Sequence, residues 1–350
     1  MKRIEELDFT RIIAMIAVIT IHVTSAYIGY QSNILVMGMN VAFILNQLTR
    51  FAVPLFILLS GTSLGLSAND DSYRGFLHKR LTKIGIPYLA WTAVYIIYNN
   101  HSDLSAINFR SVLRTVLLGQ AAPHLYFVVI IFQFYLIFPF LRHYINREPC
   151  KCILGAFVIT YGIQKLFYFR RLGIDLIPNV LQPYLWLLFP TWIFYFVTGA
   201  VLSEYRLTLI QKITSQNTVT ILFVTFLFSG VYVIESHITG NIESIKTSLD
   251  LYVPLVLLST FSVWKYAEKI HASHIAVKIL SKHSMTIYFM HVLVLRIFRH
   301  FSIFERGMSG MLFLLAAVFA CSLFVAIFWI ILFGKLRQIK QPIKRYNRFV

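Results

Sequence analysis

Long apolar runs, separated by short clusters of basic and small polar residues, dominate this chain from its first residues to its last. Runs of roughly 17 to 25 residues, the length that carries a helix across a hydrocarbon core about 30 Å thick, recur along it. They predict about ten transmembrane helices, near 9–29, 41–66, 84–99, 124–141, 152–168, 183–202, 217–235, 249–264, 283–300 and 310–333. The connections are short, so the expected architecture is all-α: one polytopic bundle over residues 1–350 with no appended soluble domain. The first run is too long for the core of a removable signal peptide and lacks a small-residue cleavage site, so it is expected to remain as the first helix.

Composition and charge sharpen this picture. Hydrophobic residues make up 58% of the chain and charged residues 13%, and the mean hydropathy of +0.70 excludes a soluble globular domain. A net charge of +18 would suit nucleic acid if it formed one stripe. Instead most of the 32 lysines and arginines alternate with the spans, as orientation signals do, and no nucleic-acid partner is expected. Lys2, Arg3, Lys79, Arg80, Lys83, Lys278, Lys282 and the basic tail from Lys335 to Arg348 fall on one side, which predicts that both termini are cytoplasmic. The opposite side holds Arg110, Arg114, Arg170, Arg171, Lys246, Arg296, Arg299 and Arg306, while Arg50 and Lys165 lie within spans. Cys150, Cys152 and Cys321 form neither a disulfide framework nor a metal knuckle, and no metal is expected.

The first predicted helix carries the most informative polar residues. Asp8 and Arg11 are one turn apart, and Arg11 and His22 are separated by about 20° of rotation and roughly 16 Å of rise, so all three share a face. His22 would lie near mid-bilayer, where an ionisable side chain must meet protein or water. It is either part of a functional pocket or a neutral hydrogen-bond partner between helices, and periodicity leaves both open. Arg11 alone would serve equally as a topology determinant. In the loop from Tyr73 to Tyr88, basic residues interleave with apolar ones as in an amphipathic interfacial helix; Arg80 and Lys83 could grip a polyphosphate or simply contact anionic membrane lipid. His124 starts the fourth predicted span, and His291 lies one turn beyond Tyr288 in the ninth, on a stripe that includes Ser284. His271, His274 and His283 read as a solvated loop helix without the partners of a metal site.

Taken together and in order, these segments resemble the acyltransferase-three family of integral membrane O-acyltransferases, in particular its polysaccharide-modifying, biofilm-adhesin-like subgroup. The resemblance rests on Leu7-Asp8-Phe9-Thr10-Arg11-Ile12-Ile13-Ala14 with His22, on Pro54 to Gly61, on Phe76 to Tyr88, on His124-Leu125-Tyr126-Phe127 with Gln133, Tyr135 and Pro139, and on Ser284 to His291. It implies transfer of an acyl group, acetyl or succinyl, from cytoplasmic acyl-coenzyme A to a hydroxyl of a cell-surface glycan or lipid-linked sugar. It further implies a multi-pass protein of a bacterial plasma membrane, working beside polysaccharide synthesis machinery. Lys83 stands where the family usually has arginine, Tyr126 where tryptophan is common and Ile12 where glycine is usual.

That chemistry asks little of the protein. A thioester has a good leaving group, so one base that deprotonates the attacking hydroxyl suffices. His22, with Asp8 on its helix, is the candidate base; His291 and His124 are further catalytic candidates, and Arg11, Arg80 and Lys83 are expected to hold coenzyme A phosphates. The rival reading is a transporter or flippase for polysaccharide or its precursors. Against it, the 14 acidic residues fall in predicted loops or helix ends, with Asp8, Glu204, Glu235 and Asp250 the nearest to the bilayer.

Overall fold

An apolar chain in lipid must satisfy its backbone internally, which leaves helices as its natural local structure. The computed structural model describes residues 4–30, 40–66, 73–103, 105, 107–202 and 204–339, and these are helical with no strand. In chain order the helices are α1 (Glu5–Tyr30), α2 (Val41–Leu48), α3 (Ala52–Gly65), α4 (Tyr73–Arg80), α5 (Ile86–Asn99), α6 (Phe109–Leu118), α7 (Tyr126–Arg147), α8 (Pro149–Arg171), α9 (Ile193–Val201), α10 (Glu204–Gln216), α11 (Thr218–Thr239), α12 (Ser248–Ala267), α13 (His271–Arg299) and α14 (Gly307–Ile339). Among the described residues six segments are long and apolar enough to cross a membrane, or seven if a pair bent by 91° near residues 201–206 counts as one. The expected spans near 84–99, 249–264 and 283–300 are helical but fall outside that set: α5 has only 14 residues, and α12 and α13 are more polar, carrying Asp250 and Lys265, and Lys282 and Arg296. Lys2, Arg3 and the basic tail from Lys340 onward lie outside the described residues.

Helix α1 runs through the middle, packed by α2, α3, α12, α13 and α14. Its burial matches that position, because Ala14, Met15 and Val23 are fully enclosed. The peripheral helices α8, α11 and α14 instead turn large apolar side chains outward, among them Leu154, Phe226 and Phe324, as a lipid-facing surface requires. α3 and α9 approach until backbone meets backbone. A Cβ at Gly61 would land on the carbonyl oxygen of Phe196, and one at Gly199 on that of Leu58, so only glycine permits this spacing.

The expected span at 183–202 is not one helix. Pro183 and Pro190 each remove a backbone donor, and the chain takes two 3₁₀ turns, Gln182–Leu187 and Phe189–Trp192, before α9 begins. Such a break leaves backbone groups without helical partners, and side chains from neighbouring helices supply them. Gln133 of α7 donates through Nε2 to Leu187 O at 2.9 Å and accepts from Phe189 N–H at 2.9 Å. Thr160 of α8 donates to Pro190 O at 3.2 Å and accepts from Phe194 N–H at 3.2 Å. Replacing Gln133 with leucine strands two backbone groups and is expected to cost about 2–4 kcal/mol, read as a lower melting temperature in detergent.

Two further sequence expectations change. His271 and His274 lie in the first turn of α13, not in a separate loop helix; His274 Nδ1 meets Glu5 Oε2 at 2.6 Å, and His283 is buried. Asp250, read as a helix-end residue, does lie in the first turn of α12, but it is buried, with Oδ1 accepting from Tyr195 OH at 2.5 Å and from Gln164 Nε2 at 3.0 Å.

Candidate active site

The polar face read on α1 exists, but its members separate into two places. At the first end of the helix Arg11 Nη1 donates to Asp8 Oδ1 at 2.6 Å, and Ser281 Oγ of α13 donates to the same oxygen at 2.7 Å. Asp8 therefore fixes Arg11. It lies about 21 Å along the helix from His22 and acts on the histidine only at a distance.

At His22, three chain segments converge. The rings of His22 and His291 have centroids 5.1 Å apart, those of His124 and His291 4.9 Å, and those of His22 and His124 6.0 Å. α1 brings the first, the turn before α7 the second, and α13 the third. Tyr288 OH donates to His124 O at 2.6 Å, and Tyr95 OH donates to Phe289 O at 2.8 Å, so α5, α7 and α13 are tied together around the cluster.

Hydrogen bonds settle which nitrogens are available. A carbonyl only accepts, so His124 donates Nε2–H to Phe289 O at 3.2 Å and His291 donates Nδ1–H to Tyr288 O at 2.6 Å. The opposite nitrogens, His124 Nδ1 and His291 Nε2, are buried and have no hydrogen-bond partner among the described residues. In neutral rings these are lone pairs waiting for a donor, such as a substrate hydroxyl. His22 is half-buried and makes no hydrogen bond among the described residues. The three rings also bring one ligand atom each within 4.8 Å of one another, a set that could close on a transition ion. The guanidinium of Arg296, however, lies 5.5 Å over the ring of Tyr95, which is itself 5.6 Å from that of His124, and positive charge so placed opposes a dication and favours developing negative charge.

Two cavities have lining residues next to this cluster, Tyr288 in one and Tyr126 in the other. One of about 140 Å³ is lined by Arg11, Ser60, Tyr135, Ser284 and Tyr288. Tyr288 is shared with the cluster, its ring 5.2 Å from His124. The other, about 610 Å³, is lined by Arg50, Tyr126, Arg170, Trp186 and Glu243 among others. It is joined to α1 beside the cluster, since Arg50 donates through Nε and Nη2 to Asn46 Oδ1 at 3.0 and 2.6 Å, and Asn46 Nδ2 donates to Thr24 and Ser25, both at 2.9 Å.

Arg80 and Lys83 part company. After α4 the chain widens into a π turn, Leu81–Gly85, in which three residues no longer complete most of a turn. Arg80 lies 5.4 Å over the Phe76 ring and 5.5 Å over Tyr135, a wall of the smaller cavity, while Lys83 is exposed. Sequence reasoning placed Arg50 inside a span and Arg296 among the orientation charges, gave neither a further role, and passed over Trp186 and Tyr95; only the tertiary arrangement brings them here.

Comparison with known proteins follows this geometry. A family model described as an acyltransferase domain, the third such family, matches residues 4–333. A Bacillus subtilis protein, YfiQ, whose name describes a membrane-bound acyltransferase, is 25% identical over 308 residues, covering 83% of this chain and 80% of its own. A Staphylococcus aureus (strain Mu50) protein named for export of poly-β-1,6-N-acetyl-D-glucosamine is 23% identical over 312 residues, 87% of each chain. No solved structure matches the chain at a significant level.

Proposed function

Because the chain belongs to the acyltransferase-three family, we propose that it moves an acetyl or succinyl group from cytoplasmic acyl-coenzyme A to a hydroxyl of a saccharide on the opposite side of the membrane. The observation that carries this reading is the convergence of three histidine rings, with Tyr288 of the smaller cavity, whose wall holds Arg11, against His124, and Tyr126 of the larger cavity, whose wall holds Arg50, two residues after it. Arg11, Arg80 and Lys83 hold the phosphates of the donor, and the smaller cavity, too narrow for a nucleotide, takes the thin pantetheine arm. The saccharide enters the larger one. The orientation that fits puts both termini in the cytoplasm and the protein, with about ten crossings, in the bacterial plasma membrane.

In the reaction an imidazole lone pair of the cluster takes the proton of the acceptor hydroxyl, and its oxygen attacks the thioester carbonyl. The tetrahedral intermediate carries a negative charge that Arg296, over the Tyr95 ring beside His124, is placed to stabilise. The C–S bond then breaks, the thiolate takes from the imidazolium the proton that came from the hydroxyl, and an ester and free coenzyme A result. His124 Nδ1 and His291 Nε2 likewise have no hydrogen-bond partner among the described residues, so they stand beside His22 as candidate bases.

Export of a saccharide is the second reading, favoured by the names of the staphylococcal relatives. Thermal stability separates the two. Coenzyme A or its acetyl or succinyl thioester at a hundred times its dissociation constant should stabilise the purified protein by about 2.7 kcal/mol. The Arg11→Ala and Arg80→Ala variants should lose most of that shift, and Lys83→Ala, exposed and without a neighbouring ring, less. No shift at millimolar ligand in the wild type would sink the acyl-coenzyme A reading and leave export.

A further inference from the structure

The larger cavity is built for one sign of charge. It adjoins a second of about 420 Å³, with which it shares Phe167, Arg171 and Ile245. The residues lining the two include five cations, Arg50, Lys165, Arg170, Arg171 and Lys246, against two carboxylates, Glu235 and Glu243. Both carboxylates are taken: Glu243 pairs with Arg171 at 3.0 Å and Glu235 with the buried Lys246 at 3.9 Å. Lys165 lies over the rings of Tyr161 and Tyr168 at 4.8 and 5.5 Å. Among the described residues the Arg50 guanidinium donates only to the neutral Asn46 oxygen, and the Arg170 side chain makes no ion pair or hydrogen bond. Two guanidiniums thus face the same 610 Å³ space, and the carboxylate that lines it with them, Glu243, is ion-paired to Arg171 and acts on Arg50 only from a distance.

The wall between them is aromatic and rigid. Trp186 meets Tyr126 edge-on at 4.7 Å, Trp186 Nε1 donates to Pro183 O at 2.8 Å, and Trp192 Nε1 donates to Trp186 O at 2.8 Å. The 3₁₀ break that Gln133 stabilises is what turns Trp186 toward this space. An indole face suits the apolar face of a sugar ring, and a guanidinium fork suits a carboxylate or phosphate.

Resting on the acyl-transfer reading for the acceptor's role, we infer that the larger cavity is the acceptor site and that its ligand is an anionic saccharide, one bearing a carboxylate or phosphate within reach of Arg50 and Arg170. A neutral saccharide would leave both guanidiniums partly desolvated and unpaired. The anion can come from two sources, an acidic sugar of the glycan or the phosphate of a lipid-linked sugar.

The test is binding to the full-length protein in nanodiscs without acyl donor, read by the fluorescence of Trp186 and Trp192 and checked by calorimetry. The probes are a glucuronate tetrasaccharide, its methyl ester, a neutral N-acetylglucosamine tetrasaccharide and a prenyl-diphosphate-linked disaccharide. One of the two anionic probes should bind at least about tenfold more tightly than either neutral one, with an affinity that falls as salt rises. Which of the two wins identifies the source of the charge. Arg170→Gln should lose about tenfold toward that probe and little toward the neutral ones. Arg170 is exposed, so the loss cannot be assigned to misfolding; Arg50→Gln should behave alike, and Lys278→Gln, on α13 near its first end, should change nothing. Equal binding of neutral and anionic probes, insensitivity to Arg170, or no binding of any probe would overturn the inference. Anion-selective binding by a protein that no coenzyme A stabilises would instead overturn acyl transfer and leave the site standing.

Discussion

Replacing His22 with alanine is expected to lower acyl transfer by about 10²- to 10⁴-fold, the usual contribution of a positioned base, while the melting temperature moves by no more than a few degrees. The contrast follows from its surroundings: His22 is half-buried and holds no hydrogen bond among the described residues, so its removal takes away chemistry and little packing. His124→Gln and His291→Gln should also lose activity, but with some loss of stability, because each ring ties a backbone carbonyl of α13. Retained turnover in His22→Ala with both other histidines intact would assign the base to one of them. The same assay weighs ligation against base catalysis. Turnover that survives strong chelation keeps the rings as bases; a loss that zinc reverses would make them ligands.

The second large effect lies away from the chemistry. Gly199→Val is expected to destabilise the protein by on the order of 3 kcal/mol, because the new side chain meets the Leu58 carbonyl of α3, where no rotamer can move aside. Gly61→Val should do the same from the other helix, against the carbonyl of Phe196. Gly155→Val and Gly230→Val, where a Cβ meets nothing within 4 Å, serve as controls and should fold like the wild type. If all four melt alike, the close approach of α3 and α9 is not what holds this part of the bundle.

How far these features were legible in the sequence differs from one to the next. The face shared by Arg11 and His22 was readable because helical period is a local property: Arg11 lines one cavity and His22 enters the cluster, as their angular offset requires. The meeting of His22 with His124 and His291 was not, since it depends on how α1, α5, α7 and α13 pack, and no local spacing encodes that. Signals for two other features were present and underweighted. Gly61-Thr62-Ser63-Leu64-Gly65 is a small-residue repeat of the kind that lets helices touch, although it does not name α9 as the partner. Pro183 and Pro190 within a single expected span foretold a break there. The different surroundings of Arg80 and Lys83 were not legible, because a π turn changes the angle that three residues cover, and a π turn has no dependable sequence signature.

The carbonyls of Tyr288 and Phe289 fix more than the direction of two rings. Each holds the only hydrogen of a neutral imidazole on the side away from its partners, so a proton accepted on the free nitrogen cannot be handed onward by a flip of the ring without breaking a bond to α13. Under the proposed chemistry that proton goes on to the departing sulfur. Ester formation then closes its proton account within the site, and the membrane potential neither drives nor slows that step through proton movement.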